Sequence, residues 1–243
     1  MRSTTLPVIA TATFGMLLAL PVSATVVTNC GPNLCYEYDD AQAAAAFYGL
    51  PSFAGDDAFF TPVVFEARST DGVGLHTNTN TDFVDATWVF SRVYSVNPLN
   101  EIASILAFEE GDYEVNYAAG QVNADLYLRA FGLNAVEPTV VGTDSFGSLG
   151  NSGGIQSWSM LTFVNPSAAL TQLANNLTVT IQNQLSAFTT DATAGSEVAW
   201  IEKKLVLQIN TVVPVGTIIP VPAALWLFGS AFGLLSALRR RAT

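Results

Sequence analysis

Long stretches of alternating apolar and polar residues constrain the fold of this chain more than any other feature. Residues 177–185 (LTVTIQNQL) alternate almost without a fault, and residues 121–129 repeat the pattern. Successive side chains of a β-strand point to opposite faces, so this alternation predicts strands with one buried face. Further strands are predicted at 60–69, 83–96, 101–108, 154–164 and 197–209.

The predicted strands are separated by loops rich in Gly, Asn, Asp, Ser and Thr, without strand–helix alternation. This spacing favours an all-β fold, an antiparallel β-sandwich of the jelly-roll or immunoglobulin-like kind. One short helix is predicted at 40–48, where an alanine run follows two aspartates. Trp88, Phe90 and Tyr94 are expected on one core-facing side of their strand, with Arg92 a polar residue among them, rather than as a platform for sugars.

The two ends of the chain differ in composition from the rest. Residues 1–24 contain Arg2, then an apolar run, then small residues, the pattern of a secretory signal peptide cleaved after Ala24. Residues 221–238 carry no charge and would span about 27 Å as a helix, enough to cross a bilayer. A buried C-terminal helix is the alternative, but this run is apolar on every face. Residues 25–217 between the two ends form one predicted ectodomain.

Residues 218–243 combine three parts in a fixed order. The parts are a proline-containing motif, the apolar segment 221–238 and a basic cluster that should stay on the cytoplasmic side. The motif consists of Ile219, Pro220, Val221, Pro222 and Ala223, and the cluster of Arg239, Arg240 and Arg241. This tail resembles the VPLPA variant of the PEP-CTERM sorting signal, with Ile219 and Val221 in place of the commoner Val and Leu.

The resemblance covers the tail alone, and proteins that bear such a tail have many different ectodomains. It implies export across the inner membrane of a Gram-negative bacterium that produces exopolysaccharide. It also implies a transient stay in that membrane, recognition by an exosortase and cleavage near the motif. The expected destination is the cell surface or the extracellular matrix.

The ectodomain is strongly acidic. It holds all 20 acidic residues of the chain and five basic ones, a net charge of about −15. Nucleic acid is therefore not expected as a partner, because neutralising phosphates needs a basic surface. Anionic lipid headgroups are disfavoured for the same reason. A solvated acidic surface suits an exported protein that must stay soluble.

Cys30 and Cys35 are the two cysteines of the chain and enclose the turn residues 31–33. In an oxidising compartment this spacing predicts a disulfide. Zinc is the alternative, but two thiolates and the distant His76 do not complete a tetrahedral shell without carboxylates. A redox role is disfavoured, because four residues separate the cysteines rather than two.

Catalytic chemistry has little support in the sequence. His76 is the only histidine, and its loop predicts a solvated side chain. A serine triad needs a histidine that is oriented by a carboxylate and faces a serine, and the sequence identifies no such set. Glycoside hydrolysis needs two carboxylates, and no pair stands out among the 20 acids. We therefore predict no catalytic residues and no cofactor.

Glu109, Glu110, Asp112 and Glu114 form the densest acidic group, around Gly111 and after a predicted strand. Clustered oxygen ligands suit Ca²⁺, which makes this group a weak calcium candidate. The group lacks the Asp-x-Asp-x-Asp-Gly spacing of a dedicated calcium loop, so a solvated hairpin is favoured and no metal site is predicted.

Two classes of function follow from these patterns. The first is an exported, non-catalytic surface or extracellular-matrix protein, associated with exopolysaccharide or biofilm. The alternative is a secreted carbohydrate-active enzyme of the glycosidase kind.

Overall fold

A computed structural model describes residues 25–62, 64–133, 138–170, 174–190 and 197–212. The predicted signal peptide and the predicted sorting tail, including Ala24, the proline motif and the arginine cluster, lie outside these residues. Within them, no helix has the length and apolar character needed to cross a membrane.

The described residues form β-strands almost throughout, with two short helices. The elements are β1 (Val26–Cys30), β2 (Leu34–Asp39), α1 (Ala45–Tyr48), β3 (Ser52–Ala54), β4 (Asp57–Phe60), β5 (Glu66–Thr70), β6 (Val73–Gly74), β7 (Thr81–Ser95), β8 (Glu101–Val115), β9 (Gln121–Gly132), β10 (Val140–Leu149), β11 (Gln156–Val164), α2 (Pro166–Ala169), β12 (Asn176–Phe188), β13 (Val198–Glu202) and β14 (Lys204–Val212).

The strands form two antiparallel sheets. The first sheet has the order β1-β2-β7-β12-β9-β10. The second sheet has the order β3-β4-β14-β8-β13-β5-β6, and β11 also pairs with β8. Inward side chains of both sheets form one hydrophobic core. The expectation of an all-β, sandwich-like fold is therefore confirmed.

Period-two burial is clearest in β9 and β12. Every second side chain of these strands is buried, and the residues between them are partly exposed. The strands predicted from the same alternation at 121–129 and 177–185 are thus confirmed. Trp88 and Phe90 of the neighbouring β7 are fully buried. Each large side chain removed from water in this way contributes about 1.5–3 kcal/mol.

Several sequence expectations differ from the structure. The helix predicted at 40–48 is only the single turn of α1, because the carboxylate of Asp39 accepts the backbone N–H of Ala41 (2.8 Å) and the chain continues in turns. Tyr94 is not in the core. The register of β7 against β2 shifts at the Glu37/Tyr38 step, and the Arg92 guanidinium lies 4.2 Å over the Tyr94 ring.

Three predicted strands have different bounds. The segment 60–69 contains the end of β4 and most of β5, and the segment 197–209 is divided at Lys203 into β13 and β14. The strand predicted at 101–108 continues to Val115, so the acidic group at 109–114 lies inside β8. The expectation of a solvated hairpin there is wrong, since β11, β13 and β14 all pair with this part of β8.

The predicted disulfide is confirmed. Cys30 and Cys35 face each other in the β1–β2 hairpin and are bonded. Asp56 stabilises the turn between them, since its carboxylate accepts the backbone N–H groups of Asn33 (2.9 Å) and Leu34 (3.0 Å).

Candidate functional site

A polar cluster lies in the interior between the two sheets. Glu109, Asn183 and Lys203 are buried at positions where β8, β12 and the β13–β14 junction otherwise direct apolar side chains inward. Tyr48 of α1 is also fully buried and contacts this group. We call these four residues the lysine cluster.

The break between β13 and β14 positions Lys203. Ile201 of β13 pairs with Tyr113, and Lys204 of β14 pairs with Glu110, so the chain at Lys203 passes Gly111 of β8. A Cβ atom at Gly111 would collide with the Glu202 carbonyl and would lie 2.9 Å from the Lys203 Cα. Glycine is therefore required at position 111 for this close approach.

The polar atoms of the lysine cluster contact one another directly. Lys203 Nζ lies 2.9 Å from Glu109 Oε1, and Asn183 Nδ2 donates a hydrogen bond to the same oxygen. The Tyr48 hydroxyl donates to Asn183 Oδ1. Nζ also lies 4.4 Å from the centre of the Tyr48 ring and 4.1 Å from that of Phe65, within the range of cation–π attraction.

Burial shifts the ionisation of the cluster toward neutral forms. It lowers the pKa of Lys203 to about 8, although the Glu109 charge and hydrogen bond act in the opposite direction. Burial raises the pKa of Glu109, which Lys203 and Asn183 partly counteract. Burial and the nearby Glu109 charge raise the pKa of Tyr48 well above 10, so its hydroxyl remains a donor. Both shifts act in the direction that favours transfer of a proton from Lys203 to Glu109.

A buried ion pair such as Lys203–Glu109 contributes little net stability. Taking both charges out of water costs several kcal/mol per ion, which their attraction repays only when every polar atom is satisfied. Glu109 Oε2 contacts no hydrogen-bond donor among the residues that the structure describes. Perturbed ionisable groups of this kind are concentrated at functional sites. The lysine cluster is the first candidate site.

A surface groove lies directly outside the cluster. It has a volume of about 550 Å³, and the second sheet forms its floor along β8 and β11. Its polar lining consists of Glu110, Asp112, Ser157, Ser159 and Glu202, together with the backbone at Lys203. The groove offers carboxylate acceptors and serine hydroxyls, which can both donate and accept. It is the second candidate site.

The four carboxylates of the weak calcium candidate are not brought together. Glu109 pairs with Lys203 in the interior, whereas Glu110 is exposed on the outer face. Asp112 accepts from the Ser157 hydroxyl (2.9 Å), and Glu114 accepts from the indole N–H of Trp200 (3.3 Å). Across the described part of the chain, no group of three or more His, Cys, Asp or Glu side chains is arranged to hold a metal ion.

His76 lies exposed in the loop between β6 and β7, as the sequence predicts, but one ring nitrogen is also held by a buried carboxylate. Its Nδ1 lies 2.9 Å from Oδ2 of the fully buried Asp82. The same carboxylate accepts the backbone N–H groups of Arg68 (2.8 Å) and His76 (2.7 Å). Asp82 thereby fixes the turn that connects β6 to β7, which gives His76 a structural role.

Residues 150–154 have the spacing Gly-x-Ser-x-Gly, which also occurs in nucleophile elbows. It lies between β10 and β11, whereas an elbow connects a strand to a helix. The Ser152 hydroxyl bonds with the carbonyls of Gly154 (2.6 Å) and Val115 (3.1 Å) and accepts the backbone N–H of Val115 (3.0 Å). Ser152 therefore holds the loop against β8.

The chain matches no protein-family model and no curated protein sequence. Both candidate sites therefore rest on geometry alone.

Proposed function

We propose that this chain is an exported, non-catalytic surface or extracellular-matrix protein that an exosortase sorts and processes and that binds exopolysaccharide. The proposal combines the predicted signal peptide, the resemblance of residues 218–243 to a sorting signal, and an ectodomain of the jelly-roll or immunoglobulin-like kind. The inner membrane would hold only the unprocessed intermediate.

The disulfide between Cys30 and Cys35 carries the export part of this proposal. Disulfides form and persist outside the reducing cytosol. The strong negative charge of the ectodomain agrees, because it keeps an exported protein soluble.

The groove on the second sheet supports polysaccharide as the ligand. Its volume of about 550 Å³ falls within the range of ligand sites. Asp112, Glu110 and Glu202 can accept hydrogen bonds from sugar hydroxyls, and Ser159 can donate one. Because three carboxylates line the groove, a neutral polysaccharide fits better than an anionic one.

The test is retention of the purified, exported protein on immobilised neutral polysaccharides, with reducing ends measured in parallel. We expect retention without release of reducing ends. The double substitution Asp112→Asn, Glu202→Gln should weaken retention about tenfold, the effect of losing about 1.4 kcal/mol. Asp85→Asn on the outer face of β7, remote from the groove, is the matched control and should bind as the unchanged protein does.

The carbohydrate-active enzyme is the other outcome of the same experiment. Turnover that a single carboxylate substitution abolishes would establish it. Equal loss of retention in the control and the groove variant would show that binding does not use the groove.

Sorting is tested by intact mass of the cell-associated or released protein. We expect a product that lacks residues 1–24 and the tail. Replacing the three arginines at 239–241 with neutral residues should weaken retention of the full-length chain in the membrane. Substitution of Pro220 and Pro222 should block processing, so that the unprocessed form stays in the membrane. A mature product that still carries Trp226 through Thr243 would mean that the tail is a permanent anchor.

A further inference from the structure

The lysine cluster holds an amine and a primary amide on one carboxylate oxygen. Lys203 Nζ lies 2.9 Å from Glu109 Oε1, and Asn183 Nδ2 donates to the same atom. The distance between the two nitrogens therefore cannot exceed the sum of these two donor–acceptor distances. All three side chains are fully buried. Such an arrangement brings reactants together and excludes competing water.

We propose that this cluster is a self-modification site, at which Lys203 Nζ forms an isopeptide bond with the side-chain carbonyl carbon of Asn183 and ammonia is released. The reaction needs no oxidant, cofactor or second protein, since the amine, the amide and the acid that moves the proton are all present.

The reaction begins when the Lys203 proton passes to Glu109 across their hydrogen bond, which leaves a neutral amine and a neutral acid. The Nζ lone pair attacks Asn183 Cγ, and the carbonyl electrons move onto Oδ1. Glu109 gives its proton to Nδ2 and then takes one from Nζ as the carbonyl re-forms and the Cγ–Nδ2 bond breaks. Ammonia leaves, the new amide keeps one proton, and Glu109 ends as the neutral acid.

Tyr48 completes the site. Its hydroxyl donates to Asn183 Oδ1, the atom on which negative charge develops during the attack. This hydrogen bond polarises the amide carbonyl and stabilises the tetrahedral intermediate. Burial also favours the neutral forms of Lys203 and Glu109, which are the reactive ones. Glu109 and Tyr48 are thus catalytic residues of the proposed reaction, because both contact reacting atoms.

The proposed bond would join the two sheets covalently. Asn183 belongs to β12 of the first sheet, and Lys203 lies at the β13–β14 junction of the second. The Cys30–Cys35 disulfide joins only neighbouring strands of one sheet. An exported protein without further cysteines could use this amide as its tie across the core.

Digestion of the purified, exported protein tests the bond. Residues 130–203 contain no other lysine or arginine, so trypsin should release one peptide with both Asn183 and Lys203. If the bond is present, trypsin cleaves after Lys204 instead, and the peptide 130–204 is lighter by one ammonia. A protease that cuts after Glu197 and Glu202 should then leave two fragments joined by the Asn183–Lys203 amide.

Matched variants assign the roles. Lys203→Met and Asn183→Ala should remove the linked peptide completely. Glu109→Gln keeps the size of the side chain, and the folded protein should stay unlinked. Asn123→Ala, on the outer face of β9, is the control and should leave the linked fraction unchanged.

The unchanged protein alone can refute the proposal, even if a variant does not fold. Complete tryptic cleavage after Lys203, with an unshifted mass for 130–203, would overturn it. Conversion of Asn183 to aspartate without linkage would also overturn it. Full linkage in a folded Glu109→Gln variant would contradict the role of Glu109.

Discussion

The Cys30–Cys35 ring and the lysine cluster both connect strands, but they connect them over very different distances along the chain. The cysteines are five residues apart and close a single hairpin at the edge of the first sheet. Glu109 is 74 residues from Asn183 and 94 from Lys203, and its contact with Asn183 joins the two sheets. A constraint on a short loop removes little entropy from the unfolded chain, whereas contacts between distant segments require the whole fold. We call the disulfide the local tie, because it connects near neighbours in the chain, and the lysine cluster the global tie, because it connects distant segments.

The largest expected effect comes from breaking the global tie. In the Asn183→Ala background, in which Lys203 stays a free amine, Lys203→Met leaves Glu109 in the core without its cation, and we expect the free energy of unfolding to fall by about 3–5 kcal/mol. Chemical denaturation measures it. The control is Arg68→Met, which breaks the partly exposed pair with Glu66 (3.0 Å) and should cost less than about 1 kcal/mol. Equal losses in the two variants would remove the distinction between interior and surface pairs.

Gly111→Ala tests the backbone that supports the same tie. The added methyl group would collide with the Glu202 carbonyl and displace the β13–β14 junction, at a cost of about 1–3 kcal/mol. Gly147→Ala in β10 is the matched control. There the nearest atom is a side-chain oxygen of Asn123 at 2.9 Å, so the change should stay within about 0.5 kcal/mol. Thermal and chemical unfolding of both variants would show whether the close approach matters.

The local tie should matter less than the global one. Replacing Cys30 and Cys35 together with alanine should reduce the free energy of unfolding by about 2 kcal/mol, because a ring of six residues restricts the unfolded chain only slightly. Reduction of the unchanged protein should reproduce the loss and should leave the double variant unaffected. Titration of unreduced protein should find no free thiol. Two free thiols per chain would contradict the disulfide in the exported form.

The pH dependence of stability distinguishes a free lysine from a linked one. Since burial lowers the Lys203 pKa to about 8, the unfolded chain binds more protons between about pH 8 and pH 10. Stability should therefore rise with pH in this window when Lys203 is a free amine, by at most about 1.4 kcal/mol per pH unit. Glu109 and Tyr48 are the other titratable groups of the cluster, and the raised pKa of Tyr48 opposes the rise only above about pH 10.

The measurement compares Asn183→Ala, in which no amide can form, with the unchanged protein. The rise should appear in the variant and should be absent from the linked protein. A rise of the same slope in both would show that Lys203 is free in each.

The smallest effect should be that of calcium. Millimolar Ca²⁺ should leave the melting temperature unchanged, because Glu109 and Glu114 already bond with Lys203 and Trp200. A large upward shift that disappears in the Asp112→Asn, Glu114→Gln variant would contradict this prediction, since a ligand of the folded state must stabilise it.

Sequence patterns identified the fold better than the site. Residues 177–185 alternate because β12 has one buried face, and this signal is local. The single fault in the alternation is Asn183, a polar residue at an inward position, and this fault was the available signal for the cluster. Lys203 gave no such signal, because the sequence Glu202-Lys203-Lys204 has the composition of an exposed segment. β10 was not predicted, since its alternating positions are only partly buried or exposed and form no apolar face. Glu109 lies 74 residues from Asn183 and 94 from Lys203 in the chain, and these contacts form only when the sheets assemble, so local sequence patterns do not reveal them.

The positions of β1 and β14 determine how the ectodomain would respond to a mechanical load. β1 is the edge strand of the first sheet, whereas β14 lies inside the second sheet between β4 and β8. Because the two strands belong to different sheets, tension applied between them would load the contacts between the layers as well as the hydrogen bonds within each sheet. Lys203 directly precedes β14 and bonds with Glu109, which in turn bonds with Asn183 of the first sheet, so the lysine cluster would be among the polar contacts between the layers that resist the pull.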